Sequence, residues 1–153
     1  MNWNQLQRIC IAADCEDAMK LKYKDLENLL PLVNSQTLLG STPLHFVALG
    51  SNTKLGTWLL QNGAIITCNE DGETPLHWAC KSGHISMVKL FLSHMSSTEI
   101  STQDEEGLTA LDWAIEYEHK HIATLLRSTN SQNGKKTKHA LSLRKWLKAL
   151  YNK

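Results

Sequence analysis

The sequence predicts an all-α solenoid of about four helix–turn–helix units, followed by a basic amphipathic helix. The main observation is a block that begins at Gly40, returns at Gly72 and returns more loosely at Gly107, with spacings of 32 and 35 residues. A second apolar run with helical periodicity follows each block. Because a period of about 20 to 50 residues is typical of stacked repeats, each unit is predicted to be two helices long.

Local residues indicate where these helices begin and end. Thr42 and Thr74 each stand directly before a proline, Pro43 and Pro75. A threonine hydroxyl can cap a helix start, and proline is tolerated at the first helical position because its missing N–H costs nothing there. Gly83 follows the second of these helices, where a left-handed residue ends a helix. Each unit is therefore predicted to be a turn, a helix, a loop and a second helix.

The repeated block resembles the signature of the ankyrin repeat, Gly-x-Thr-Pro-Leu-His-x-Ala followed by Gly-His. Residues 72–92 fit this signature almost without exception, and residues 40–48 fit it closely. The last unit departs from it, because Ala110, Asp112 and Glu118 replace the proline, the histidine and the loop glycine. The resemblance implies stacked helix pairs whose first helices and turn tips form a concave protein-binding face.

The resemblance extends over residues 3–127 and is strongest from 40 to 94. The first unit is degenerate, but its apolar residues fall at helical spacing before Pro31 ends the run. Atypical end units are expected in a repeat array, because an end unit has a neighbour on one side only. The resemblance implies an ankyrin-repeat domain at 1–127, with units at about 3–36, 37–68, 69–103 and 104–127.

Composition limits the class of protein. A chain of 153 residues fits one domain, and 42% apolar and 20% charged residues disfavour a wholly disordered chain. No stretch approaches the roughly 20 apolar residues of a membrane span, and the N-terminus does not have the apolar run of a secretory signal. We therefore expect an intracellular protein, in the cytoplasm or, for a pathogen effector, in the host cytosol. Its four cysteines are expected to be reduced thiols, with Cys80 in the core.

Candidate chemical sites are few. His45 and His77 occupy the same position in successive units, and the resemblance implies hydrogen bonds to nearby threonine and backbone groups. His119 and His121 are two residues apart, whereas a zinc pair on a helix needs a spacing of three or four, so both are expected to be solvated. No catalytic motif or phosphate-binding loop is present. We predict no metal site, no cofactor and no enzyme activity.

A large aromatic residue follows the histidine position in all three clear units. Two interpretations stay open: these rings pack between repeats, or they bind a partner protein beside acidic turn tips that would attract a basic surface. The predicted concave face consists of Phe46, Leu49, Glu73, Trp78, Lys81, Leu108, Trp113, Glu116 and Tyr117. The predicted turn tips are Ser41, Glu70, Asp71, Glu105 and Glu106.

Charge separates the C-terminal segment from the rest. Residues from 128 onward contain seven Lys and Arg and no Asp or Glu, whereas residues 1–127 carry a net charge of −6. Residues 128–137 have the composition of a flexible polar linker, and 138–153 are predicted to form the basic amphipathic helix. Three roles stay open for this helix: an end cap on the last repeat, binding to an anionic membrane, or binding to a calmodulin-like protein. Its apolar and basic residues are Leu143, Arg144, Lys145, Trp146, Leu147, Lys148 and Leu150.

The sequence favours a monomeric, non-catalytic adaptor that binds another protein on the concave face. The alternative is a peripheral membrane or host-targeting factor that is localised by its basic C-terminal helix. Binding to nucleic acid is disfavoured, because the repeat domain is acidic and basic residues would come only from the C-terminal segment.

Overall fold

The computed structural model describes residues 30–131, with side chains described through Thr129. A 3-10 turn at Leu30–Leu32 precedes the helices of this range. They are α1 (Pro43–Gly50), α2 (Thr53–Gln61), α3 (Pro75–Ser82), α4 (Ile85–Leu92), α5 (Ser97–Ile100), α6 (Ala110–Glu116) and α7 (Lys120–Ser131). Between residues 30 and 131 there is no strand, only an isolated bridge between Gln103 and Thr109. The predicted all-α class is confirmed.

The helices form two layers. The first helices of successive units pack side by side, α1 on α3 and α3 on α6, and the second helices α2, α4 and α7 pack in the same order. α5 is a short extra helix that the sequence did not predict. Cys80 is fully buried, as predicted, and burial raises the pKa of its thiol. The core between the layers includes Leu44, Val47, Leu55, Leu59, Leu76, Ala79, Met87, Val88, Phe91, Ala114, Ile122 and Leu126.

Each first helix begins at a threonine, as the sequence predicts. Thr42, Thr74 and Thr109 are the residues that precede α1, α3 and α6, all with extended backbone. In the last unit the carboxylate of Asp112 accepts from the N–H of Thr109 at 2.9 Å and from its hydroxyl at 2.7 Å. The helix start is therefore kept where alanine replaces proline and aspartate replaces histidine.

The first helices also end in the same way. Gly83 adopts a left-handed conformation, with φ of 80°, and Ser51 and Glu118 adopt it at the equivalent positions, with φ of 56° and 62°. Residues other than glycine disfavour this left-handed region. At Ser51 and Glu118 the unit therefore keeps a backbone conformation that the residue itself disfavours.

Two buried histidines connect neighbouring units. The Nδ1 atom of His45 accepts from the N–H of Thr42 at 3.0 Å, so the ring proton is on Nε2, which donates to the carbonyl of Glu73 at 3.0 Å. His77 repeats this arrangement with Thr74 and with the carbonyl of Leu108, at 3.0 and 3.2 Å. The predicted hydrogen bonds of both histidines are confirmed, and each ring joins its own helix start to the turn of the next unit.

Both imidazole rings are neutral in this arrangement. Burial lowers the pKa of His45 to about 4, against the opposing effect of the hydrogen bond to the Glu73 carbonyl. Burial also lowers the pKa of His77, although the Leu108 carbonyl and nearby carboxylates oppose that shift. A second proton on Nδ1 would point at the backbone N–H that this atom accepts from, so protonation breaks the link.

A second pair of histidines connects the units at the opposite end of the first helices. The Nε2 atom of His84 hydrogen-bonds the carbonyl of Leu49 at 2.8 Å, and that of His119 bonds the carbonyl of Lys81 at 3.0 Å. The prediction that His119 is solvated is wrong, because its ring also packs against the backbone at Gly83. His121 is exposed, as predicted.

The last helix is longer than the sequence predicts. α7 runs through Ser131, so residues 128–131 are helical and do not belong to a linker. The hydroxyls of Ser128 and Thr129 donate to the carbonyls of Leu125 and Leu126, at 2.6 and 2.8 Å, so both hydroxyls are satisfied by the helix backbone. None of the helices between residues 30 and 131 is long and apolar enough to cross a membrane.

Three predicted segments fall outside the described residues and stay predictions. They are most of the first unit, the remainder of the linker and the basic C-terminal helix, at residues 3–29, 132–137 and 138–153.

Replacing Gly72 by alanine is expected to destabilise the stack more than replacing Gly107. Both glycines are left-handed, with φ of 74° and 75°, and an alanine there costs about 1 kcal/mol. A Cβ atom at Gly72 would also lie 3.0 Å from Asp104 Cα and from the backbone nitrogen of Glu105, whereas at Gly107 no described atom lies within 4 Å. We expect a loss on the order of 3 kcal/mol for Gly72→Ala. Urea denaturation measures both variants, and equal losses would contradict close packing of the turns.

Stability is expected to fall as the pH falls from 7 to 5. The unfolded chain protonates His45 near its ordinary pKa of 6.5, whereas the folded chain protonates it only near 4. Between these values the unfolded state binds more protons, so His45 alone lowers the free energy of unfolding by about 2 kcal/mol between pH 7 and pH 5. His45→Gln should be less stable at pH 7 and should lose less on acidification. Denaturation curves at both pH values test this, and an unchanged pH dependence in the variant would contradict it.

Candidate functional site

The predicted binding residues divide into three classes of exposure. Trp113, Leu108 and Ser41 are buried, with 8%, 2% and 4% of their surface exposed. The partly buried residues are Phe46, Leu49, Glu73, Trp78 and Glu116, and the exposed residues are Glu70, Asp71, Lys81, Glu105, Glu106 and Tyr117.

The aromatic stripe packs between units. The Trp78 ring lies edge-to-face with Phe46, at 5.6 Å between centroids, and with His45, at 5.2 Å. One unit further, Trp113 lies edge-to-face with His77 at 5.9 Å. Of the two interpretations that the sequence left open, these contacts favour packing for the two indole rings.

The indole nitrogens are held by carboxylates of the turns. Trp78 Nε1 donates to Glu73 Oε2 at 2.6 Å, and Trp113 Nε1 donates to Asp104 Oδ2 at 2.8 Å. The other oxygen of Asp104 accepts from the N–H groups of Glu106 and Leu108, at 3.0 and 2.8 Å. Each tryptophan is therefore fixed to the turn of its own unit, and Asp104 shapes that turn.

Two predicted binding residues are covered, namely Ser41, predicted at a turn tip, and Leu108, predicted on the concave face. Both follow a turn glycine directly, and both are buried. The hydroxyl of Ser41 accepts from Asn69 of the next turn at 3.4 Å, and the Leu108 side chain belongs to the core. Neither side chain offers a binding surface.

The exposed tips are the two residues before each turn glycine. They are Leu38–Leu39, Glu70–Asp71 and Glu105–Glu106, which we call the turn-tip row. Backbone bonds join the row: the N–H of Glu70 donates to the carbonyl of Leu39, and that of Glu105 donates to the carbonyl of Asp71, both at 3.0 Å. The row is thus a fixed surface that is apolar at one end and acidic further along.

Sequence reasoning missed the apolar end of this row. Leu38 and Leu39 are 97% and 59% exposed. They precede Gly40 directly, just as Glu70 and Asp71 precede Gly72. Alignment of the repeats could therefore have identified them as turn-tip residues. The exposure of these two residues was not predicted, because a leucine next to a repeat suggests a core residue.

A cleft of about 260 Å³ lies where the third and fourth units meet. The turn-tip row and the exposed ends of α3 and α6 contribute to it, so it exists only when the two units stack. Its lining contains five carboxylates and one cation. The residues are Asp71, Glu73, Lys81, Asp104, Glu105, Glu106, Trp113 and Tyr117. We call this the acidic cleft.

The cation in the cleft lies over two aromatic rings. Lys81 Nζ is 5.0 Å from the centroid of the Trp113 ring and 5.8 Å from that of Tyr117. The two rings are 6.0 Å apart and tilted by 33°. A contact of this kind is worth about 0.5–1 kcal/mol at an exposed position. Lys81 is thus held weakly over these two rings, and the Tyr117 side chain is 44% exposed.

The chemistry of this surface is that of binding a cation. Aromatic faces and carboxylates both attract positive charge. His45 and His77 hold the units together and are not among the residues that line the cleft. Among the residues that the structure describes, no group of three or more His, Cys, Asp or Glu is arranged to hold a metal ion.

Comparison with known proteins agrees with the repeat architecture. The family model described as ankyrin repeats (3 copies) matches residues 13–104 and 57–138. The FYVE zinc finger domain protein UPA1 of Mycosarcoma maydis is 44% identical over 57 residues, 36% of this chain and 4% of that protein. The palmitoyltransferase ZDHHC13 of Mus musculus is 38% identical over 53 residues, 33% of this chain and 8% of that protein. These two similarities cover only a small part of each relative. The family model covers most of this chain, so the chain belongs to the ankyrin-repeat family.

Proposed function

We propose that this chain is a non-catalytic module that binds a partner protein on the face formed by its first helices and its turn-tip row. Ankyrin repeats are generally protein–protein interaction modules, and they are typically non-catalytic. The observation that carries the proposal is the turn-tip row itself, an exposed surface whose neighbouring tips are joined by backbone hydrogen bonds at 3.0 Å. A surface that is already ordered loses little conformational entropy when a partner binds.

The chemistry of the face supports an amphipathic partner. Leu38 and Leu39 offer apolar surface at one end, and the acidic cleft lies toward the other. Apolar contacts supply affinity, whereas charges guide approach and orientation. A partner segment with an apolar side chain and a basic side chain at matching separation fits this pattern.

A variant of the exposed cleft residues tests which face binds. Asp71→Ala, Glu105→Ala and Tyr117→Ala together change only exposed side chains, so the thermal melt should stay close to that of the original chain. Affinity capture from a cell lysate should lose the proteins that the original chain retains. The matched control changes three exposed residues of the second helices, Lys54→Ala, Ser86→Ala and Lys89→Ala, and should retain them. Retention by the first variant or loss by the control would reject this face.

Leu38→Ser tests the apolar end of the row. Because Leu38 is 97% exposed, the substitution should leave the melting temperature unchanged, and it should weaken partner binding by about tenfold through lost apolar contact. Ile65→Ser is the control, since Ile65 is 64% exposed and lies outside the row. Quantitative capture compares the two, and equal effects would contradict a specific role for Leu38.

A further inference from the structure

We propose that the acidic cleft receives an arginine side chain of the partner protein, and that Lys81 moves off the two rings to admit it. This inference rests on the proposed function, because it names the chemistry of the partner at one point of the same face. It commits to a single type of side chain, which the following observations support.

The charge of the acidic cleft favours a cationic occupant. Five carboxylates and one ammonium line the cleft, and the turn tips beside it, Glu70 and Asp71, are also acidic and exposed. Two of the lining carboxylates, Glu73 and Asp104, already accept from the indole nitrogens. Even so, the cleft has an excess of negative charge, which disfavours an anionic occupant and attracts a cationic one.

Lys81 already places a cation over the two aromatic rings of the cleft. Within residues 30–129 its ammonium is held by the faces of Trp113 and Tyr117, at 5.0 and 5.8 Å. The protein thus shows that a cation is favourable over this pair of rings. Lys81 is exposed, so the side chain can turn into solvent without opening the fold.

The shape of the ring pair favours a guanidinium over an ammonium. The rings of Trp113 and Tyr117 are tilted by only 33°, with centroids 6.0 Å apart, and form a shallow platform. A guanidinium is planar, stacks on aromatic faces and directs five N–H groups outward in its plane, toward carboxylates at a rim. Asp71 and Glu105 belong to that rim. An ammonium is compact and more strongly hydrated, so it uses the platform less well.

The experiment uses the full-length chain and a fluorescein-labelled peptide, Gly-Ser-Arg-Gly-Ser-Arg-Gly-Ser-Arg. Two further peptides carry citrulline or lysine in place of every arginine. Citrulline keeps the planar shape and removes the charge. Fluorescence anisotropy at low salt, where charge interactions are least screened, gives the affinities. We expect the arginine peptide to bind about tenfold more tightly than the citrulline peptide and several-fold more tightly than the lysine peptide.

Lys81→Gln is the decisive variant, because it removes the internal competitor and should tighten binding of the arginine peptide by about threefold to fivefold. Lys89→Gln removes the same charge from an exposed position on α4, outside the cleft, and should change the affinity little. Tyr117→Leu should weaken binding at least fivefold, since it removes the exposed one of the two aromatic rings that form the platform. The melting temperature of each variant confirms that the fold is intact.

Several outcomes would overturn the proposal. They are equal binding of the arginine and citrulline peptides, equal binding of the arginine and lysine peptides, or equal effects of Lys81→Gln and Lys89→Gln. A full-length variant with Arg144→Gln and Lys145→Gln tests the basic C-terminal segment as the occupant. If it binds the arginine peptide more tightly than the original chain does, the cleft belongs to that segment.

The proposed function can survive failure of this inference. If the variant at Asp71, Glu105 and Tyr117 loses captured partners while the peptides show no preference for arginine, the face binds a partner protein but the cleft does not bind an arginine side chain.

Discussion

A neutral imidazole ring between two units is the interaction on which the rest of the structure depends. His45 and His77 each accept a hydrogen bond at the start of their own helix and donate one to the turn of the following unit. One ring therefore sets a helix start and the position of the neighbouring turn together. Asp112 occupies the same place in the last described unit, and it can cap its own helix but has no proton to donate onward as a carboxylate. The last described unit thus differs from the two units before it in hydrogen-bonding capacity.

The framework and the candidate binding surface share residues. The indole rings of Trp78 and Trp113 pack against the histidines of the preceding unit, and their nitrogens bind turn carboxylates. The carboxylates of Glu73 and Asp104 therefore hold the tryptophans in place. The side chains exposed beside this framework include those of Lys81, Tyr117 and the turn-tip row. Because the framework is rigid, it presents these groups in a fixed arrangement.

Much of the fold was predictable because the signals are local. Thr42 and Thr74 before prolines indicated helix starts, and the structure has helices there. The candidate site was less predictable, because a residue's exposure depends on what another unit places above it. Ser41 was expected at a turn tip and is covered by the next turn, while Leu38 was not predicted at a tip and is almost fully exposed. His119 was expected in solvent and instead bonds a carbonyl of the preceding unit.

By itself the sequence determined the period, the class of fold and the ends of the first helices, since these depend on residues a few positions apart. Tertiary structure alone decided which turn residues face outward, which histidines join units, and that Lys81 meets Trp113 and Tyr117 in one cleft. The bonds behind those outcomes connect residues 28 to 38 positions apart, such as His45 with Glu73 and His119 with Lys81. Their partners become neighbours only when whole units stack, and no pattern within one unit specifies them.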